Sequence, residues 1–260
     1  MTTDFGKVSG DYAKYRDALP DLLFRQLKAR GTDFGGRKGL DLGAGTGIFT
    51  RALAERGAEV TGIEPSAELI EAAVAQTRQA GMEPIPYVQA AAEEFRLPGT
   101  YSFVTAVRAW HWFDRGRTLG NIRRHLMPGG SLIVINSVFE STSEAVRLTF
   151  RILKENGIVL KPAGSNAEVR ERRSGFPVNW FEEWERHGFR LRHEWEQAYT
   201  LAYTHEDWCG KIRSVSWLAN ESNELRMKVS GELLRNLSDF DAAVLPIPHK
   251  YSVAVLTLES

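Results

Sequence analysis

The chain of 260 residues has a single cysteine, Cys209, so no disulfide can form within it, and no cysteine and histidine cluster has zinc-site spacing. It has no net charge either. Thirty-three basic residues balance thirty-three acidic ones, which leaves no field to draw in a polyanion or an acidic membrane surface. Nucleic acid and membrane are therefore not expected as partners. The opening MTTDFGKVSG lacks a basic start followed by an apolar run, and no apolar stretch approaches a membrane span. A reducing, cytoplasmic setting is expected, with the chain acting as a monomer or homodimer. Internal repeats and low-complexity tracts are absent too, while 43% apolar residues can supply an ordinary buried core.

From Gly39 onward, short apolar runs alternate with helical patterns, the signature of a mostly parallel sheet covered by helices. Strands are expected at Gly39 to Leu42, Glu59 to Glu64, Ile85 to Ala90, Phe103 to Ala109 and Ser131 to Ser137. Helices are expected between them, one from Phe49 to Arg56, one capped by Ser66 and running to Gly81, and one from Arg115 to Leu126. Beyond Phe139 the alternation stops. Ser141 with Glu144 reads as a capping box for a helix ending near Gly157, and Asn179 to His187 reads as another helix. A strand over Phe189 to Tyr199, a helix from Thr204 to Leu218, a helix over Glu221 to Leu237 and a last strand over Tyr251 to Leu258 complete the reading. The expectation is an α/β, Rossmann-like sheet of seven strands with helices on both faces and a helical cap, in a single domain. Residues 1–38 would form an N-terminal cover, 39–139 the core, and 140–178 with 200–245 cap insertions.

The strongest local signal is Leu40-Asp41-Leu42-Gly43-Ala44-Gly45-Thr46-Gly47, at a strand end and ahead of a helix. Glycines there let the backbone approach a ligand without a Cβ, and the helix offers free N–H groups with partial positive charge. The dinucleotide fingerprint G-x-G-x-x-G places its third glycine where Ile48 stands, which disfavours a nicotinamide cofactor. Through D-x-G-x-G-x-G at Asp41 to Gly47 and the acid Glu64 closing the second strand, the chain resembles class I S-adenosylmethionine methyltransferases. The resemblance implies S-adenosylmethionine as cofactor. Gly43, Ala44, Gly45 and Gly47 would lie under its methionine portion, with Asp41 as a polar anchor, and Glu64, beside Pro65, would accept both ribose hydroxyls. Val88 to Glu94 resembles the family's loop after the third strand. An acid there commonly meets the adenine, but this chain has Ala91, which leaves the backbone around Ala92, or Glu93, to do so.

After the fourth strand, Arg108-Ala109-Trp110-His111-Trp112-Phe113-Asp114 gathers aromatic rings around one histidine, where parallel strands present ligands. The segment resembles that of small-molecule methyltransferases related to trans-aconitate methyltransferases, and Asp11 to Arg16 resembles their N-terminal cover. Arg108 suits a substrate carboxylate through its planar fork of donors, and reads equally as a structural group paired with an acid. Trp110, Trp112, Tyr12 and Tyr15 suit an aromatic wall around sulfonium and substrate, or else the core, while Arg16 is placed to reach the cofactor carboxylate. His111 has the natural pKa of a general base, against the reading of a ring that only shapes the pocket. The expected activity is methyl transfer to a small molecule. No Asn/Asp-Pro-Pro-aromatic stretch of the kind associated with nucleic-acid or protein amines follows the fourth strand, and no metal site is visible. A nicotinamide oxidoreductase and an inactive cofactor-binding protein are the competing readings.

Overall fold

The computed structural model describes residues 9–259. In chain order the elements are α1 (Ser9–Tyr15), α2 (Asp21–Ala29), β1 (Lys38–Leu42), α3 (Ile48–Ala54), β2 (Glu59–Glu64), α4 (Ala67–Gln79), β3 (Tyr87–Gln89), β4 (Tyr101–Val107) and α5 (Arg115–His125). They continue with β5 (Leu126–Phe139), α6 (Glu144–Glu155), β6 (Arg172–Arg173), β7 (Phe176–Pro177), α7 (Val178–Arg186) and β8 (Phe189–Thr204). The last are α8 (His205–Arg213), α9 (Ser216–Ala219), α10 (Asn223–Leu237) and β9 (Val244–Leu258).

Seven strands form one mostly parallel, Rossmann-like sheet in the order β3-β2-β1-β4-β5-β9-β8. β1 pairs in parallel with β2 on one side, Leu42 opposite Ile63, and with β4 on the other, Leu42 opposite Ala106. The chain thus leaves β1 in one direction and later returns on its opposite side. Between β1 and β4 the sheet has its topological switch, and the crevice beyond those two carboxyl ends is where such sheets hold ligands. The sequence of β1 suits a central place. Leu40 and Leu42 are both fully buried, and Gly39 leaves room for a ring, since a Cβ there would lie 2.1 Å from Phe103.

Side-chain caps open five of the described helices. Ser66 accepts from the Leu69 amide, Asp114 from Arg117 and Thr204 from Asp207. For α6 the cap is Ser143, whose hydroxyl accepts from Val146 at 3.2 Å, and not the expected Ser141. Glu144 is then the first helical residue, too near its cap to close a reciprocal box. The expected helix from Thr204 to Leu218 is broken between Arg213 and Ser216, where the Ser214 hydroxyl turns back to the Lys211 carbonyl.

The chain divides into two compact units. One comprises residues up to Arg16, Ser137–Ala163 and Gln197–Tyr251; the other comprises Asp17–Asn136, Gly164–Glu196 and the chain from Ser252 onward. The first has a core of Val146, Ile152, Trp208, Ile212, Val229 and Leu233, where the Trp208 indole donates to Thr149 Oγ1 at 2.9 Å. Within it α1 is fastened to α8: Arg213 donates twice to Asp11, at 2.8 and 2.9 Å, and the Tyr15 ring fills the space that Gly210 leaves. The second unit, which contains β1 to β4, is packed around Leu40, Leu42, Val104, Leu132, Trp110 and Trp184. Among the described residues, no helix is long and apolar enough to cross a membrane.

Candidate cofactor site

Three glycines make the turn after β1. Gly43, Gly45 and Gly47 all have positive φ, 66°, 57° and 71°, a conformation that costs an L-residue with a side chain about 1 kcal/mol or more. Close packing adds a second reason at two of them. A Cβ on Gly43 would lie 2.6 Å from that of Ala109, and one on Gly47 would lie 2.1 Å from the Tyr87 hydroxyl. The amides of Gly43 and Ala44 donate to the Ile63 carbonyl at 2.8 and 3.1 Å, which carries the turn across to the end of β2.

At that end stands Glu64. Its Oε2 accepts from the Gly45 amide at 2.9 Å and its Oε1 from the Ser66 amide at 3.1 Å. The carboxylate is buried, and burial pushes its pKa up, against the two amide bonds that lower it. The next parallel strand is joined at the same place, since the Ala90 amide donates to the Glu64 carbonyl at 3.2 Å. Glycine turn, acid and the chain leaving β3 thus meet at one edge of the sheet.

The oxygens of Asp41 are engaged inside the chain. The residue is 2% exposed, and its oxygens accept from Thr50 Oγ1 and Thr105 Oγ1, both at 2.7 Å. It is an internal bracket tying β1 to α3 and β4. Burial, opposed by the two hydroxyl bonds, raises its pKa to about 6. Thr50 and Thr105 carry no motif that would mark them in a sequence.

The segment after β4 divides likewise. The Arg108 guanidinium donates to Asp17 Oδ2 at 3.1 Å and to the Asp17 carbonyl at 2.8 Å, the pairing with an acid that is the second of the two expectations for it. Its backbone is left-handed, φ 54°, and turns the chain sharply out of the strand. Trp110 is a core residue, 1% exposed, with its ring 5.9 Å from Phe113 and 6.2 Å from Trp184. His111 and Trp112 stay half-buried with ring centroids 4.8 Å apart. Over them lies Gly164, where a Cβ would meet the His111 carbonyl at 2.1 Å, and the Ser165 hydroxyl donates to that same oxygen at 3.2 Å.

Of the other expected residues, Ala92 is buried and Pro65 exposed. Glu93 Oε1 accepts from the Asp114 amide at 2.7 Å, which ties the loop after β3 to the segment after β4. Tyr15 is engaged by α8, with the Arg213 guanidinium 5.5 Å from its ring centre. Tyr15 and Arg16 belong to the first unit and the glycine turn to the second, while the side chain of Tyr12 lies outside the described residues. No cluster of three or more His, Cys, Asp or Glu suited to a metal ion occurs among the described residues.

Residues 40–134 match the methyltransferase domain family. That stretch runs from β1 into β5 and holds the glycine turn, Glu64 and His111. An uncharacterised methyltransferase of Mycobacterium bovis is 30% identical over 158 residues, 60% of this chain and 61% of its own length. The ubiquinone biosynthesis O-methyltransferase of Methylococcus capsulatus is 35% identical over 104 residues, 39% of this chain and 44% of its own. The chain thus spans less than two thirds of the length of these curated relatives. A SAM-dependent methyltransferase from Thiobacillus denitrificans, solved with S-adenosyl-L-homocysteine, shares the fold with TM-score 0.56 at 16% identity, over 98% of both chains. One from Geobacter sulfurreducens, with the same ligand, gives TM-score 0.56 at 16% identity over 98% of this chain and 99% of its own.

The buried Asp41 makes stability depend on pH with a definite sign. Between its ordinary value of 3.8 and about 6, the folded chain keeps a proton that the unfolded chain has released, so this group's contribution falls as pH rises through that window and is flat above it. Asp41→Asn, which keeps a hydrogen-bonding amide without the charge, should gain about 2 kcal/mol on the wild type between pH 4 and pH 7 in urea titrations. A difference that does not change with pH would contradict the assignment.

Proposed function

We propose that this protein is an S-adenosylmethionine-dependent methyltransferase acting on a small molecule. The observation that carries the reading is the buried Glu64 carboxylate on the Gly45 amide at the switch point of the sheet, inside the stretch that matches the methyltransferase domain family. Each oxygen of Glu64 accepts one amide and keeps acceptor capacity, which suits a vicinal diol such as a ribose. Thr46 Oγ1, on the same turn, is buried without a hydrogen-bond partner among the described residues. The residues present therefore fit the group. The nicotinamide reading keeps no support, since Ile48 stands where its third glycine is needed.

When bound, the cofactor supplies an electrophilic methyl group on a sulfonium. The chain's own part is to orient it, to align an acceptor in line and to keep water out. Glu64 holds the ribose, and the left-handed glycines bring the backbone of the turn close to the rest. His111 stands on the segment fixed by Ser165 and takes the proton from a hydroxyl or amine acceptor. A carboxylate acceptor has lost its motivating residue because Arg108 is held by Asp17. The small acceptor is supported by the likeness of His111 to Asp114 to the trans-aconitate-related enzymes and by the balanced charge of the chain.

Titration calorimetry should show S-adenosylhomocysteine binding to the wild type and no binding of NAD, with Glu64→Gln about tenfold weaker or more. Equal affinity for wild type and variant would remove Glu64 from the site. With an acceptor in hand, His111→Ala and His111→Gln should each lower turnover about 100-fold or more and leave cofactor affinity unchanged. Near wild-type turnover in both would limit His111 to shaping the pocket.

A further inference from the structure

The loop between β3 and β4 is held by α5 in a way that the glycine turn and Glu64 do not account for. Asn121 is fully buried, and its Nδ2 donates to the carbonyls of Ala92 and Phe95, both at 3.2 Å. Its Oδ1 accepts from Arg124 at 3.0 Å and from Arg96 at 3.3 Å, so both ends of the amide are used and its orientation is determined. One helical turn on, His125 Nδ1 lies 2.9 Å from the Asn121 carbonyl, and the Leu97 amide donates to His125 Nε2 at 3.4 Å. A carbonyl can only accept, so Nδ1 carries the proton and Nε2 is the acceptor that Leu97 needs. The ring packs against Phe95 at 4.5 Å.

The other edge of this loop is at the candidate site. Its first amide, that of Ala90, donates to the Glu64 carbonyl, and Glu93 accepts from the Asp114 amide beside the His111 segment. Three backbone groups on the loop, at Ala92, Phe95 and Leu97, are therefore fixed by two side chains that lie on α5.

We propose that Asn121 and His125 are positioning residues that hold the 90–97 loop as the nucleoside-side wall of the cofactor site. The inference rests on the proposed cofactor. Neither residue touches the ligand; each acts through the carbonyls and the amide it holds. Loss of an anchor lets the wall move, and the consequence is weaker cofactor binding by a folded protein.

The test measures binding of S-adenosylhomocysteine and of 5′-methylthioadenosine, which lacks the amino-acid end, to wild type, His125→Leu, His125→Gln and Asn121→Asp. Gln can offer an oxygen near the position of Nε2, Leu cannot, and Asp replaces the two Nδ2 donors with an acceptor. His125→Leu and Asn121→Asp should lose about fivefold or more in affinity for both ligands, while His125→Gln stays within about twofold of wild type. Hydrogen exchange of the peptide spanning residues 92–98 should speed up in His125→Leu and not in His125→Gln, which reports on the loop even if affinity cannot be measured for a poorly folded variant. Wild-type binding with every variant within about twofold, or an equal loss in His125→Gln and His125→Leu, would overturn the inference. Failure of the wild type to bind either ligand would instead overturn the cofactor assignment.

Discussion

The structure around the switch point depends on a buried carboxylate accepting two backbone amides. Glu64 takes the Gly45 amide from the turn after β1 and the Ser66 amide from the start of α4. Burying a carboxylate is costly unless its lone pairs are met, and here one amide comes from the turn after the neighbouring strand and the other from two residues further along the acid's own chain segment. The turn offers its amide from a left-handed glycine, so the acid and the glycines form one device. Its remaining acceptor capacity is what makes it a candidate for a ribose.

A second buried acid supports the first without sharing its task. Asp41 lies one strand away and spends its oxygens on Thr50 and Thr105, so it braces α3 and β4 against β1. Residue type and position are alike for the two acids, each near the end of a central parallel strand. Their partners distinguish them: Asp41 meets hydroxyls that close around it, whereas Glu64 meets two amides at the open edge of the sheet.

Much of this layout is legible in the sequence. The strand from Glu59 to Glu64 and the Ser66 cap stand where periodicity and capping chemistry put them, because both signals are local. β5, β8 and β9 run on past their expected ends, to Phe139 and Thr204 and back to Val244, since hydrogen bonding to neighbouring strands extends residues whose own pattern is weak. The site is less legible. Arg108 and Asp17 are 91 residues apart, and nothing in the local pattern of either announces their pairing. Trp110 and Trp112 look equivalent in the sequence, yet a short 3₁₀ turn sends one into the core and leaves the other half-buried. Asn121 and His125 sit among the basic residues of a polar helix, and only the folded chain shows which backbone groups they meet.

The most direct check of the central claim is a crystal structure of the protein with S-adenosylhomocysteine. The account predicts both ribose hydroxyls on the Glu64 carboxylate, the amino-acid end along the turn from Gly43 to Gly47, and Asp41 still bound to its two threonines without touching the ligand. A ribose held elsewhere, or a ligand contact made by Asp41 in place of Glu64, would contradict it.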